Sequence, residues 1–281
     1  MRLGAPVFVT SDDPEVLARA HRELGLRAAY CPRVAVGDGD RIRAVSRAFA
    51  RQDVVIAEVG VWNNLLDPAA EVRQRNARAM QEGLALADEI GALCVVNIAG
   101  TRNPDQWAGP HPDNFQPAVF DEIVAVAREI IDAVHPVRAK FTYEMMPWCF
   151  PDSAQSYLDL VRAIDRPAFG VHLDVVNIVC SVRRYFENTA LIRECFELLG
   201  PQIVCCHLKD IRLSDELTTH LSECLVGTGG LDNATYLREV ARLPHHPPVL
   251  LEHLHTAEEY EQARHYTQGL ARELGIDFEQ G

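Results

Sequence analysis

Residues 204–210 read VCCHLKD. Val204, Cys205 and Cys206 have the composition of a buried strand, yet the chain then delivers His207, Lys209 and Asp210 in quick succession. A parallel α/β fold has a use for such a sequence, because its ligand sites gather at the C-terminal ends of the strands. Short apolar runs of the same kind lie on both sides. They are PVFV (6–9), RAAYC (27–31), VVIAE (54–58), LCVVN (93–97), KFTYE (140–144), FGVHLD (169–174), IVCCH (203–207) and PVLLE (248–252).

Segments of helical period fill the intervals at about 14–24, 40–50, 70–89, 120–134, 153–164, 186–199, 232–242 and 257–272. The clearest is FDEIVAVAREIIDAV, in which Phe120, Ile123, Val124, Ala127, Ile130, Ile131 and Val134 make one apolar stripe. Start signals agree: Ser11 or Asp12 before Pro14, Asp152 or Ser153, and Asp232 or Asn233 can each cap a helix. Eight alternating units without a break in composition predict an α/β protein, a single (β/α)8 TIM barrel over residues 1–281. A doubly wound open sheet is the runner-up. Two long connections, 101–114 and 208–230, follow strand ends and fall on the face where barrels build active sites.

Composition narrows the function. The 281 residues are 48% hydrophobic and 24% charged, enough for a large core. A net charge of -13, with no run of Lys and Arg, predicts no nucleic-acid partner. The N-terminal run is too short for a signal peptide and no stretch approaches a membrane span, so neither export nor a membrane partner is expected. The eight cysteines show no C-x-x-C pair and read as reduced thiols of a cytoplasmic protein.

The residues that close the later runs are Glu58, Asn97, Glu144, Asp174, His207 and Glu252, all polar. If each points into the barrel, they converge on its C-terminal mouth. Carboxylates and an imidazole gathered there would repel one another and raise their own pKa values unless a cation joins them. Oxygen donors with one histidine suit manganese first, with magnesium, cobalt or zinc as alternatives.

With these motifs in view, the sequence resembles the xylose isomerase-like sugar phosphate isomerases and epimerases. This TIM-barrel superfamily includes ketose 3-epimerases, hydroxypyruvate isomerase and inosose dehydratase. The resemblance is strongest over 141–254. It implies one divalent metal held by Glu144 (FTYEMMP), Asp174 (VHLDVVN), His207 (CCHLKD) and Glu252 (LLEHL). It also implies a carbohydrate or polyol-derived small-molecule substrate, a role in carbohydrate metabolism and a homo-oligomer. Two sugar contacts of the ketose 3-epimerases are missing: Asn177 stands where they carry a histidine and Phe150 where they carry a glutamate.

Such a site predicts proton abstraction next to a carbonyl through a metal-stabilised enediolate, with Glu144 and Glu252 as the catalytic acid and base. Return of the proton gives epimerisation or isomerisation. Expulsion of a β-substituent gives the alternative, a lyase that dehydrates a keto-inositol or keto-sugar or cleaves a 3-keto-glycoside. Substrate contacts are expected from Asn177, Lys209 and Asp210, the last also as a residue that orients Lys209 or His207, and from Glu58 and Asn97, which can instead support the metal ligands from behind. GTGG (227–230) reads as a turn with a weaker phosphate-binding alternative. His253 should point away from Glu252, His172 reads as a core histidine, and His111 and His220 sit in the long loops. Trp62, Trp107 and Trp148 suit either a sugar-binding wall or loop packing.

Overall fold

In chain order the strands are β1 (Leu3–Gly4), β2 (Ala28–Tyr30), β3 (Val55–Gly60), β4 (Cys94–Asn97), β5 (Lys140–Glu144), β6 (Phe169–Leu173), β7 (Ile203–Leu208), β8 (Asp210–Leu213), β9 (Leu221–Cys224) and β10 (Val249–Leu251). The computed structural model describes residues 1–278. Eight of the strands pair in parallel into a closed barrel, in the order β1-β10-β7-β6-β5-β4-β3-β2. Helices α1 (Pro14–Glu23), α2 (Gly39–Arg51), α3 (Ala70–Ile90), α4 (Pro117–Val134), α5 (Ala154–Ile164), α6 (Val182–Phe186), α7 (Asn188–Leu199), α8 (Asn233–Arg242) and α9 (Ala257–Glu273) flank it. The architecture is the (β/α)8 barrel that the alternation predicts.

The expectation of a first strand at 6–9 is corrected. Pairing occurs at Leu3 and Gly4, against Val249, Leu250 and Ala28, while Pro6 has no N–H to give a ladder and Phe8 is 58% exposed. Gly4 is there because the strands approach too closely for a side chain: a Cβ would lie 2.7 Å from Ala28 O. Asp13, not Ser11 or Asp12, caps α1, whereas Ser153 and Asp232 cap α5 and α8 as the sequence suggests. The predicted helix at 186–199 is resolved into α6 and α7. The connection read as a loop over 208–230 contains the antiparallel hairpin β8–β9, with Asp210 opposite Cys224 and Leu213 opposite Leu221.

Alternation along the strands sorts side chains into two cores. The large one lies between strands and helices and includes Cys206, Phe141 and Val171. A small one of Ala28, Ala57, Cys94, Cys205 and Leu250 fills the barrel. Cys205 and Cys206 therefore belong to opposite faces of β7, and all eight cysteines are free.

Away from the mouth, Asp88 at the end of α3 secures the approach to β5. Its Oδ1 accepts backbone N–H bonds from Val137 (3.0 Å), Arg138 (2.5 Å) and Ala139 (2.8 Å). Slight burial opposes ionisation, but these donors outweigh it and hold the carboxyl below its usual pKa. We expect Asp88→Ala to lower unfolding stability by about 1–3 kcal/mol at pH 7. The carboxylate's contribution exists above the unfolded pKa and is lost as pH falls through the depressed folded value. Urea titrations should therefore show the gap between wild type and variant closing in acid, and a gap independent of pH would contradict this account.

Candidate metal centre

Glu144 closes β5, Asp174 directly follows β6, His207 lies one residue from the end of β7 and Glu252 directly follows β10. Parallel register places them side by side: Glu144 is opposite His172, and Leu250 opposite His207. Glu144, Asp174, His207 and Glu252 can each offer a donor atom within 4.8 Å of all the others. His207 Nδ1 lies 3.0 Å from Glu144 Oε1, 3.0 Å from Glu252 Oε2 and 3.9 Å from Asp174 Oδ2. Tyr236 fixes the end of β7 from behind, its hydroxyl donating to His207 O at 2.7 Å.

The charges of this cluster are not balanced by the chain alone. Asp174 is fully buried, and burial first, then the nearby carboxylates, push its pKa up to about 6 despite Lys209. His207 moves the other way: burial disfavours its charge, but Glu252 and Glu58 raise its pKa well above the ordinary value. Glu252 is likewise lowered against the effect of burial, by His207 and Lys209. Asp174 Oδ2 and Glu252 Oε2 are buried acceptors that receive no well-directed hydrogen bond. With His207 neutral, the form in which an imidazole ligates, the three carboxylates of the quartet outnumber the one ammonium of Lys209, and a cation would neutralise the excess. The donor set, three oxygens and one imidazole nitrogen beside an open cavity, fits such an ion.

Of the expected substrate contacts, the structure brings Asn177 to the cavity wall and places the others elsewhere. Glu58 is buried below the cluster, its Oε2 lying 2.6 Å from His172 Nε2 and 3.3 Å from His207 Nε2. The two histidines lower its pKa to about 2 against the effect of burial. His172, read as a core histidine, is thus tied to the metal-site histidine, their rings meeting edge to face at 4.2 Å. Asn97 holds the β3–α3 loop, accepting from Asn63 N (3.1 Å) and Ile98 N (2.8 Å). Lys209 is buried among acids: Nζ lies 2.7 Å from Asp174 Oδ2, 3.0 Å from Glu223 Oε1 and 3.3 Å from Glu252 Oε2, and donates to Asn177 Oδ1 at 2.8 Å.

Asp210 touches neither Lys209 nor His207 through its carboxylate. Oδ2 accepts from Gly227 N (2.9 Å) and Gly229 N (3.1 Å), and Oδ1 from Leu231 N (3.0 Å) and Ile211 N (2.8 Å). Within GTGG the amides of Gly227 and Gly229 are therefore occupied by an internal carboxylate, and those of Thr228 and Gly230 donate to Leu225 O and Ile211 O. His253 also departs from expectation. β10 ends at Leu251 and His253 adopts φ 57°, so the alternation that would turn it outward stops before it. Its Nδ1 lies 2.8 Å from Glu223 Oε2, and this contact raises the His253 pKa. Glu223 on β9 was not anticipated; the signal available was the short alternation of the hairpin strand. His111 caps a 3-10 turn, and the nearest hydrogen-bond geometry of His220 is to Leu217 O within its own loop.

Above the cluster opens a cavity of about 940 Å³ whose wall includes Glu144, Glu252 and all three tryptophans. Residues 18–270 match the family described as xylose isomerase-like TIM barrel. The chain belongs to that family. Solved structures with this xylose isomerase-like fold differ widely in what they do. D-psicose 3-epimerase from Clostridium cellulolyticum, determined with D-tagatose, superposes with TM-score 0.70 at 12% identity over 99% of this chain and 100% of its own. The probable 3-DHS dehydratase AsbF from Bacillus anthracis gives 0.70 at 14% identity, over 96% and 99%. Endonuclease IV from Thermus thermophilus gives 0.71 at 14%, over 97% and 100%. These identities establish the fold alone, so the reaction has to be read from this chain's own site. No curated protein sequence matches the chain significantly. Among the described residues, no helix is long and apolar enough to cross a membrane.

Because Asp210 organises the loop before α8, Asp210→Ala should destabilise the protein by about 2–4 kcal/mol. Limited proteolysis should open the chain near 225–231 first. A variant of unchanged melting temperature and protease resistance would return Asp210 to the list of ligand contacts.

Proposed function

We propose that this chain is a cytoplasmic, divalent-metal-dependent isomerase or epimerase that removes a proton next to a carbonyl of a carbohydrate- or polyol-derived substrate. The observation that carries this reading is the quartet Glu144, Asp174, His207 and Glu252, whose donor atoms lie together, with Glu144 and Glu252 facing a cavity large enough for substrate. Manganese is the first choice of ion because the donors mix carboxylate oxygens with one imidazole, with magnesium, cobalt and zinc behind it. A bound ion would polarise the carbonyl and stabilise the negative charge that develops as the proton leaves.

Glu144 and Glu252 come from strands on different sides of the mouth and both line the cavity. One can take the proton from one face of the substrate while the other returns it to the opposite face. Glu58 and His172 act from below, holding the imidazole of His207 in a fixed orientation. Asn177 lies between the cavity and Lys209, with its amide nitrogen donating to Met145 O at 3.0 Å. The lyase alternative shares the proton abstraction and differs only in losing a β-substituent afterwards. A nuclease reading has less support: the net charge is -13 and no Lys or Arg occurs among the described residues that line the cavity.

The test is deuterium incorporation from D2O into keto-sugars and keto-inositols by the manganese-loaded protein, followed by mass spectrometry. We expect exchange next to the carbonyl, and a fall of about 100- to 10,000-fold in both Glu144→Gln and Glu252→Gln. One tightly bound ion per chain without exchange into any ketone would sink the proposed chemistry. Metal titration provides a second check. Glu58→Gln should weaken metal binding about 10- to 100-fold through loss of His207 orientation, whereas a residue that only touched substrate would leave metal affinity unaltered.

A further inference from the structure

The walls of the cavity are unlike its floor. Carboxylates and His253 surround the metal-site donors, but the wall above them is formed largely by Trp62, Trp107, Trp148, Met146, Val176 and Ile211. Trp62 and Trp107 are 43% and 53% exposed, unusual for residues with so much apolar surface to bury. Trp62 is held in place by the absence of a side chain at Gly60, where a Cβ would lie 2.6 Å from the indole Nε1. Trp148 Nε1 is buried with no hydrogen-bond partner.

Two devices by which barrel enzymes hold phosphorylated or carboxylated substrates are absent. The first is a cationic side chain facing the ligand. The described residues of the wall include no Lys or Arg, the imidazole of His253 is paired with Glu223, and the ammonium of Lys209 is already enclosed by Asp174, Glu223 and Glu252. The second is a set of free backbone amides before the penultimate helix. Those of Gly227, Gly229 and Leu231 donate to Asp210. At about 940 Å³, the space is at the upper end of the roughly 300–1,000 Å³ range of drug-sized ligand sites.

From these observations we infer that the substrate is uncharged and amphipathic. A hydroxylated ketone or its glycoside would face the metal centre, and an aromatic or fused apolar ring attached to it would lie along the three tryptophans. This inference rests on the proposed function and narrows it, replacing a free or phosphorylated sugar by a sugar joined to an apolar ring system. Burial of an aromatic ring against the indoles supplies affinity without charge, while the polar end fixes which carbon meets Glu144 and Glu252.

Binding, which does not require turnover, tests it. Isothermal titration of the manganese-loaded protein would compare methyl β-glucoside, 4-nitrophenyl β-glucoside and glucose 6-phosphate. We expect the nitrophenyl compound to bind at least about tenfold more tightly than the methyl compound, and glucose 6-phosphate to bind more weakly than either. Trp62→Ala combined with Trp107→Ala should abolish the difference between the two glycosides, while Trp62→Phe should keep it. Both positions are half exposed, so melting temperature should hold in all variants. Equal affinities for the two glycosides, no binding of either, or tighter binding of the phosphate would overturn the inference. Its failure is separable from failure of the proposed function: deuterium exchange into ketones with no aromatic preference leaves the chemistry standing, and aromatic preference with no exchange leaves the ligand class standing.

Discussion

Like charges brought together out of water must either lose their charge or acquire a cation, and the mouth of this barrel is arranged around that requirement. Four strands end in groups that would be harmless singly and become strained by proximity. Part of the answer is internal. Lys209 lies among Asp174, Glu223 and Glu252, and His207 among Glu58, Glu144 and Glu252. The carboxylates left over are what give the site its capacity for a cation. Removing a single carboxylate changes the local balance as well as the number of donors.

The rest of the barrel serves this arrangement. A narrow filling of Ala28, Ala57, Cys94, Cys205 and Leu250 below the site leaves the inner wall smooth and small. Glu58 and His172 lie above that filling and below the metal donors, so His207 is oriented by a polar layer that is itself sealed from solvent. Above the donors, the wall becomes apolar. Passing from floor to opening, a molecule would meet packed hydrocarbon, buried charge and then aromatic surface.

Much of this was legible in the sequence because the strand ends alternate between unmistakable types. VHLD, CCHL and LLEH each switch from apolar to ligand within two residues, and strand parity then fixes where the ligand points. What was illegible depends on tertiary detail. Leu3–Gly4 is too short to show a period, and Phe8 and Val9 imitate a strand while facing solvent. Glu58 could be recognised as polar after an apolar run, but β3 continues to Gly60, so Glu58 lies deeper than a strand end. His253 escaped because parity holds only inside a strand, and its left-handed backbone reverses it. Asp210 and Glu223 became intelligible only with the hairpin, whose half-exposed strands carry a weak pattern.

The carboxylate of Asp210 also has a bearing on how this protein could change over evolutionary time. It fills, from within the chain, the cradle of amides that a phosphate would otherwise occupy. A descendant that took a phosphate on these amides would have to vacate that cradle, and the same step would deprive the loop of the acceptor that folds it. At this loop, vacating the cradle and keeping the fold are thus coupled, and substitutions in the cavity wall do not touch that coupling. Divergence that uses this cradle has to pass through a less stable intermediate, whereas a change of the aromatic wall, or a cation introduced into it, leaves the loop's fold intact.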